Sequence, residues 1–265
     1  MKLAFQTAGP AGDLTLVVTT PVPPAEHSAL ARRLLAIGEL QASRVCFLLP
    51  PEGKGVVRLA VPDGVLSGSA LALGALTFAA ARGVRREKKL PVELPGLAEP
   101  CTVHMNPLAG QATVELPLPR AAERTPFLDR EVPVVVFPGL AHLLWPGTQL
   151  PPQEVLLPAL QDLAQTWQVP AAGALAWDFR AQTITPLLCL PGEARLCPRP
   201  TCVTAAGAAA AWSALHDRQS HRKLAVRQPG GVLQAAAHCQ GASLRRLTVS
   251  LPVSLGPAYE IDFEK

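Results

Sequence analysis

The sequence predicts an α+β fold of two pseudo-symmetric lobes, each a mostly antiparallel sheet wrapped around a central helix of small residues. Three observations carry that expectation. Two alanine- and glycine-rich helical stretches, opening at Ser67 and Cys202, lie about half the chain apart. Each follows a strand-like run and a turn: Val56–Val61 then Pro62-Asp63-Gly64, and Thr183–Leu190 then Pro191-Gly192-Glu193. Short aliphatic and β-branched runs separated by prolines fill much of the rest, the pattern of strands joined by turns.

In chain order, strands are expected at Leu14–Thr20, Arg44–Leu49, Val56–Val61, Ala112–Leu118, Val132–Phe137, Leu175–Phe179, Thr183–Leu190 and Leu247–Val253. Helices are expected at Pro24–Leu40, Ser69–Arg82, Pro152–Trp167 and Thr204–Arg218, with a further one at Val232–His238 suggested by its alanines. The polar stretch Pro119–Arg130 marks the expected lobe boundary, giving lobes over residues 1–120 and 121–265. The last strand could pack back on the N-terminal lobe.

Length and composition suit two lobes with cores of their own. At 265 residues, 49% hydrophobic and 17% charged, the chain has the apolar content of a buried core. A net charge of +4 is modest. The cluster Arg82, Arg85, Arg86, Lys88 and Lys89 reads as a solvated helix end that complements the helix dipole. With Tyr259 the sole tyrosine there is no aromatic interleaving for base stacking, so no nucleic acid is expected. Six cysteines without a CxxC pair, after a start at Met1–Gln6 that runs straight into strand-like sequence, point to a reduced, cytoplasmic protein with no metal. The apolar stretches Gly64–Ala81 and Val132–Gln153 are interrupted by glycine, serine or proline and read as core, not membrane spans. His216, Asp217 and His221 beside Arg218, Arg222 and Lys223 read as a solvated basic helix end.

Several short motifs, in order along nearly the whole chain, resemble the diaminopimelate epimerase-like superfamily, which includes proline and histidine racemases and phenazine-biosynthesis-type isomerases. Ala8-Gly9-Pro10-Ala11-Gly12-Asp13-Leu14 resembles the family's His-Gly-x-Gly-Asn-Asp-Phe, and Arg44–Pro51 the strand before its first hairpin. Leu66-Ser67-Gly68-Ser69-Ala70 falls at Met-Cys-Gly-Asn-Gly, and Leu108-Ala109-Gly110 at Thr-x-Ala-Gly. Gly139-Leu140-Ala141-His142 falls at Gly-Asn-Pro-His, and Cys202-Val203-Thr204-Ala205 at Cys-Gly-Thr-Gly.

The resemblance implies a cofactor-independent isomerase acting at the carbon α to a carboxylate, most simply an amino-acid racemase or epimerase. In the racemases two thiols flank the α-carbon as base and acid, and two helix N-termini facing a shared cleft hold the carboxylate. That chemistry is physically sound, because helix N-termini carry unpaired N–H groups and partial positive charge where carboxylate charge develops. A cysteine placed there should have a depressed pKa.

Cys202 and Ser67 are therefore the expected catalytic pair. Gly68, Ser69, Ala70, Val203, Thr204, Ala205, His142 and Asp13 are the expected substrate-binding residues, with a small carboxylate or amino acid as partner and no cofactor. A homodimer is compatible with this reading. Each residue also has a plainer role: Ser67, Ser69 and Thr204 as helix caps, Cys202 as a buried cap, His142 as packing, Asp13 as a structural carboxylate and Asp63 as a turn residue.

The chain departs from the family pattern where Ser67 replaces a thiol and where Gly12, Ser69 and Leu140 replace asparagines. Glu193 and Arg195 stand near the family's pair for the far end of diaminopimelate, but at different spacing, so that substrate is not expected. Two other readings follow: a phenazine-type isomerase, though its glutamate base is not evident, and a catalytically inactive carboxylate- or partner-binding member of the same fold.

Overall fold

The computed structural model describes residues 2–9 and 13–262. They form two compact units: the described residues up to Val114 together with those from Leu251 onward, and Glu115–Ser250. Each is a mixed α+β body, built mostly of sheet, that contains one small-residue helix.

In the first unit, β1 (Lys2–Gly9) pairs antiparallel with β2 (Thr15–Val18) and with the C-terminal strand Ser254–Asp262. Helix α1 (His27–Leu35) leads to β3 (Arg44–Leu49), which runs parallel to β2 and antiparallel to β4 (Val57–Ala60). Helix α2 (Gly68–Ala81) follows, then the meander β5 (Lys88–Glu93), β6 (Cys101–Asn106) and β7 (Gln111–Glu115).

Alternation along these strands sorts two faces. Leu16 and Val18 of β2, with Val45 and Phe47 of β3, pack with Leu30, Ala31 and Leu34 of α1. The intervening Thr15, Val17, Arg44 and Cys46 therefore take the other face, where α2 packs. Helix α2 is buried on nearly every side. Its Gly74 lets the strands close in, because a Cβ there would stand 2.6 Å from Leu59 Cδ1.

The second unit begins with β8 (Ala121–Phe127), which pairs antiparallel with β9 (Arg130–Phe137); β9 pairs antiparallel with β10 (Leu140–Pro146). Helix α3 (Gln153–Thr166) carries the chain to β11 (Ala172–Asp178), which is parallel to β10 and antiparallel to β12 (Thr183–Cys189). A short β13 (Cys197–Pro198) precedes helix α4 (Val203–His216). Then β14 (His221–Gln228), β15 (Gly231–Gln240) and β16 (Ser243–Pro252) form an antiparallel meander.

Both faces of β9–β11 are covered, which is why their sequences read as unbroken apolar runs. Val132, Val134, Val136, Ala141, Leu143, Trp145, Ala172 and Ala174 pack with Leu156, Leu160 and Leu163 of α3. Val135, His142 and Gly173 alternate onto the opposite face, where α4 contacts β9 and β10. On α4, Gly207 is the point of close approach: a Cβ there would lie 2.5 Å from Leu116 Cδ1.

Four local expectations change. Val232–His238 is not helical but lies in β15, hydrogen-bonded on both edges to β14 and β16. Leu233, Ala235 and Ala237 are buried while Gln234 and His238 are exposed, so period-2 burial overrides the helical preference of alanine. The expected helix Pro24–Leu40 is broken into two 3-10 turns around α1, because the chain turns extended at Ile37. The basic cluster is not a helix end as a whole: Arg82 caps α2, Arg85 and Arg86 lie in the connection, and Lys88 and Lys89 open β5. His221 likewise belongs to β14, where its ring lies against that of His238, centroids 4.3 Å apart and planes tilted by 41°. Gly12 and the rest of 10–12 lie outside the described residues.

Candidate active site

The second unit gathers Cys202, Thr204 and His142. Cys202 is the N-cap of α4, in extended conformation (φ −129°, ψ 102°), and its side chain makes no capping hydrogen bond to the helix. Its Sγ lies 3.4 Å from Thr204 Oγ1. Thr204 Oγ1 lies 2.8 Å from His142 Nε2, which β10 delivers from 62 residues away in sequence. Cys202 is 6% exposed, Thr204 2% and His142 0%.

Burial sets the state of this group. His142 is pushed down to about 3 because the charged ring has no water to solvate it. The imidazole is therefore neutral near pH 7 and carries one N–H. Nδ1 has no hydrogen-bond partner among the described residues. Placing the proton on Nδ1 would bury an orphan donor, so we assign it to Nε2, donating to Thr204 Oγ1. The hydroxyl proton of Thr204 is then available to Cys202 Sγ, and it would favour the thiolate. Gly173, paired with His142 in the β10–β11 register, makes room for the ring: a Cβ there would meet Nδ1 at 3.2 Å.

In the first unit, Ser67 is the N-cap of α2 and accepts the N–H of Ala70 at 3.2 Å. Its Oγ lies 3.3 Å from Ser69 Oγ, and Arg44 Nη1 donates to Ser69 Oγ. A guanidinium and a helix N-terminus thus add positive charge at one place, an arrangement that an anion relieves. Ser43, next to Arg44, donates to Asp13 Oδ1. Asp13 is 1% exposed, and its Oδ2 has no partner among the described residues. Thr15 Oγ1, on the α2 face and opposite Arg44 in register, is also buried without a partner among them.

Of the residues expected from sequence, Cys202, Thr204 and His142 are thus linked in one unit, and Ser67, Ser69 and Ala70 in the other. Gly68, Val203 and Ala205 occupy the first turns of α2 and α4. Asp13 is tied to Ser43. Asp63 falls in a 3-10 turn (Pro62–Gly64). Sequence reading missed Arg44, Thr15 and Gln228. A charged residue opening an otherwise apolar strand was a signal for Arg44. Gln228, which holds the backbone of Cys202, gave none. Among the described residues no three His, Cys, Asp or Glu side chains gather as a metal site, and no helix is long and apolar enough to cross a membrane.

The model of the histidine racemase CntK N-terminal domain matches residues 2–258. The chain belongs to that family. No curated protein matches the sequence significantly. Among solved structures, a Bacillus anthracis phenazine biosynthesis protein of the PhzF family is similar at TM-score 0.69 and 15% identity, over 99% of this chain and 100% of that one. A predicted epimerase from Pseudomonas aeruginosa is similar at TM-score 0.69 and 15% identity, over 100% of both chains. A hydroxyproline epimerase from Agrobacterium vitis, solved with trans-4-hydroxy-L-proline, is similar at TM-score 0.66 and 13% identity, over 98% of this chain and 92% of that one. At these identities the structural likenesses establish the α+β fold of the family.

Proposed function

We propose that this chain is a cofactor-independent isomerase of a free α-amino acid, moving the proton on the carbon next to the carboxylate. The observation that carries the reading is the buried chain His142–Thr204–Cys202 at the N-terminus of α4, in a member of a histidine racemase family. Histidine is accordingly the first substrate to test.

An α-proton is weakly acidic, so the reaction needs a base of matched pKa and stabilisation of the charge that moves onto the carboxylate. Cys202 is the proposed base or acid. Thr204, donating to Sγ, supports the thiolate, and neutral His142 keeps the Thr204 hydroxyl turned that way. The N–H groups of Val203, Thr204 and Ala205 are proposed carboxylate donors.

In the other unit the proposed donors are Gly68 and Ser69 with Arg44; Ala70 N–H is already taken by Ser67. Asp13, with one carboxylate oxygen unpartnered, is the proposed acceptor for the substrate ammonium. Ser67 is the proposed second proton-transfer group; a hydroxyl is a poorer base than a thiol, so Ser67→Cys should raise turnover.

Chiral chromatography after incubation with L-histidine, L-proline and other L-amino acids tests the reading. Formation of one D-enantiomer supports it. A folded protein that forms none would instead be a non-catalytic carboxylate binder or an isomerase of another acid.

A further inference from the structure

Gln228 ends β14 and is 8% exposed, deep for a primary amide. Both ends of that amide meet the backbone of one residue. Cys202 N–H donates to Gln228 Oε1 at 2.6 Å, and Gln228 Nε2 donates to the Cys202 carbonyl at 2.9 Å. A planar amide can do this only when the residue it grips is extended, with its N–H and C=O directed to the same side. Cys202 has that conformation. Its carbonyl also accepts the N–H of Ala206 at 3.2 Å, the first bond of α4, so each lone pair has its own donor.

Comparison with α2 gives this grip its meaning. Ser67 holds almost the same N-cap dihedrals, φ −130° and ψ 104°, and its own hydroxyl secures them by capping Ala70 N–H. At α4 the Cys202 side chain forms no such cap. The same geometry is held there from outside, by Gln228, so the sulfur is not needed as a cap. The hairpin turn after Gln228 adds a second attachment, since Gly230 N–H donates to the Pro200 carbonyl at 2.7 Å. A Cβ at Gly230 would fall 2.9 Å from that same oxygen, so the close approach requires glycine.

We propose that Gln228 is a positioning residue for Cys202: it fixes the peptide groups on both sides of the Cα and so aims the thiol. The proposal rests on Cys202 as the proton-transfer group. Its test compares the wild type with Gln228→Leu, which removes both hydrogen bonds, and Gln228→Glu, which keeps the acceptor but turns an oxygen on the Cys202 carbonyl when ionised.

Iodoacetamide labelling read by mass spectrometry gives the rate at Cys202 relative to half-buried Cys197 in the same molecule. Both variants should lower that ratio about tenfold. They should lower kcat for α-proton exchange about 10- to 100-fold with KM nearly unchanged, the scale of a misplaced reacting group. In Gln228→Glu the loss should deepen as pH rises and the new carboxyl ionises. An unchanged or raised labelling ratio in a folded variant overturns the proposal, even where stability falls. Wild-type protein with no α-proton exchange overturns the isomerase reading instead, while the labelling ratio still decides whether Gln228 aims Cys202.

Discussion

His142 Nε2 and Thr204 Oγ1 meet at 2.8 Å in the interior of the Glu115–Ser250 unit, the imidazole with no exposed surface. The bond makes a packed histidine into the far end of a chain that reaches Cys202. If Cys202 moves a proton, His142 acts on it through Thr204.

Replacing His142 by leucine keeps the apolar packing but leaves the Thr204 hydroxyl free to turn from the sulfur. The expected result is a loss of about tenfold in kcat, the scale of one buried hydrogen bond lost, with a higher apparent pKa for Cys202 alkylation. The pH dependence of iodoacetamide labelling measures it.

His142 also predicts an acid limb of stability. Its folded pKa lies below the unfolded value, near 3 against an ordinary 6.5. Between those values the unfolded chain binds a proton that the folded chain does not. Stability should therefore fall as pH drops through about 6.5 toward 3, and this contribution should be absent in His142→Leu. Thermal unfolding of both proteins at pH 7 and pH 4.5 checks the difference in slope.

Gly173 gives the ring its room. Gly173→Val would press on His142 Nδ1, on the Leu187 carbonyl, 3.2 Å from the position of a Cβ, and on the Leu188 side chain. Overpacking of this kind costs about 1–3 kcal/mol. A urea unfolding series should show that loss together with reduced turnover.

The two N-caps should differ in what substitution does to stability, while both lower turnover. Ser67→Ala removes a capping hydrogen bond and should cost about 1 kcal/mol of stability. Cys202→Ser removes no cap, so unfolding should stay near wild type while turnover falls about 10²- to 10⁴-fold, the range for a lost acid–base group. Calorimetry beside activity assays separates the two effects.

How legible these features were depends on the range over which each is determined. The α2 and α4 helices could be read locally, since alanine and glycine let strands close around them. The runs Val132–Phe137 and Leu140–Trp145 read as core because both faces are covered. The strand Gly231–Gln240 was obscured, as Ala235–Ala237 carries a helical preference that only its two neighbouring strands override. Cys202 and Ser67 were visible as residues opening helices. Thr204, His142 and Ser69 were visible through the same motifs, but two side chains that hold these helix starts from strands were not. Gln228 reaches Cys202, and Arg44 reaches Ser69, through strand placement that no short motif encodes.

The most direct measurement is deuterium incorporation at the α-carbon in heavy water, with histidine first and a panel of amino acids after it, in wild type and Cys202→Ser. Label is expected in one amino acid with the wild type, with a loss of at least about 100-fold in the variant. Equal incorporation in the two proteins, or none in a folded wild type, would contradict that expectation.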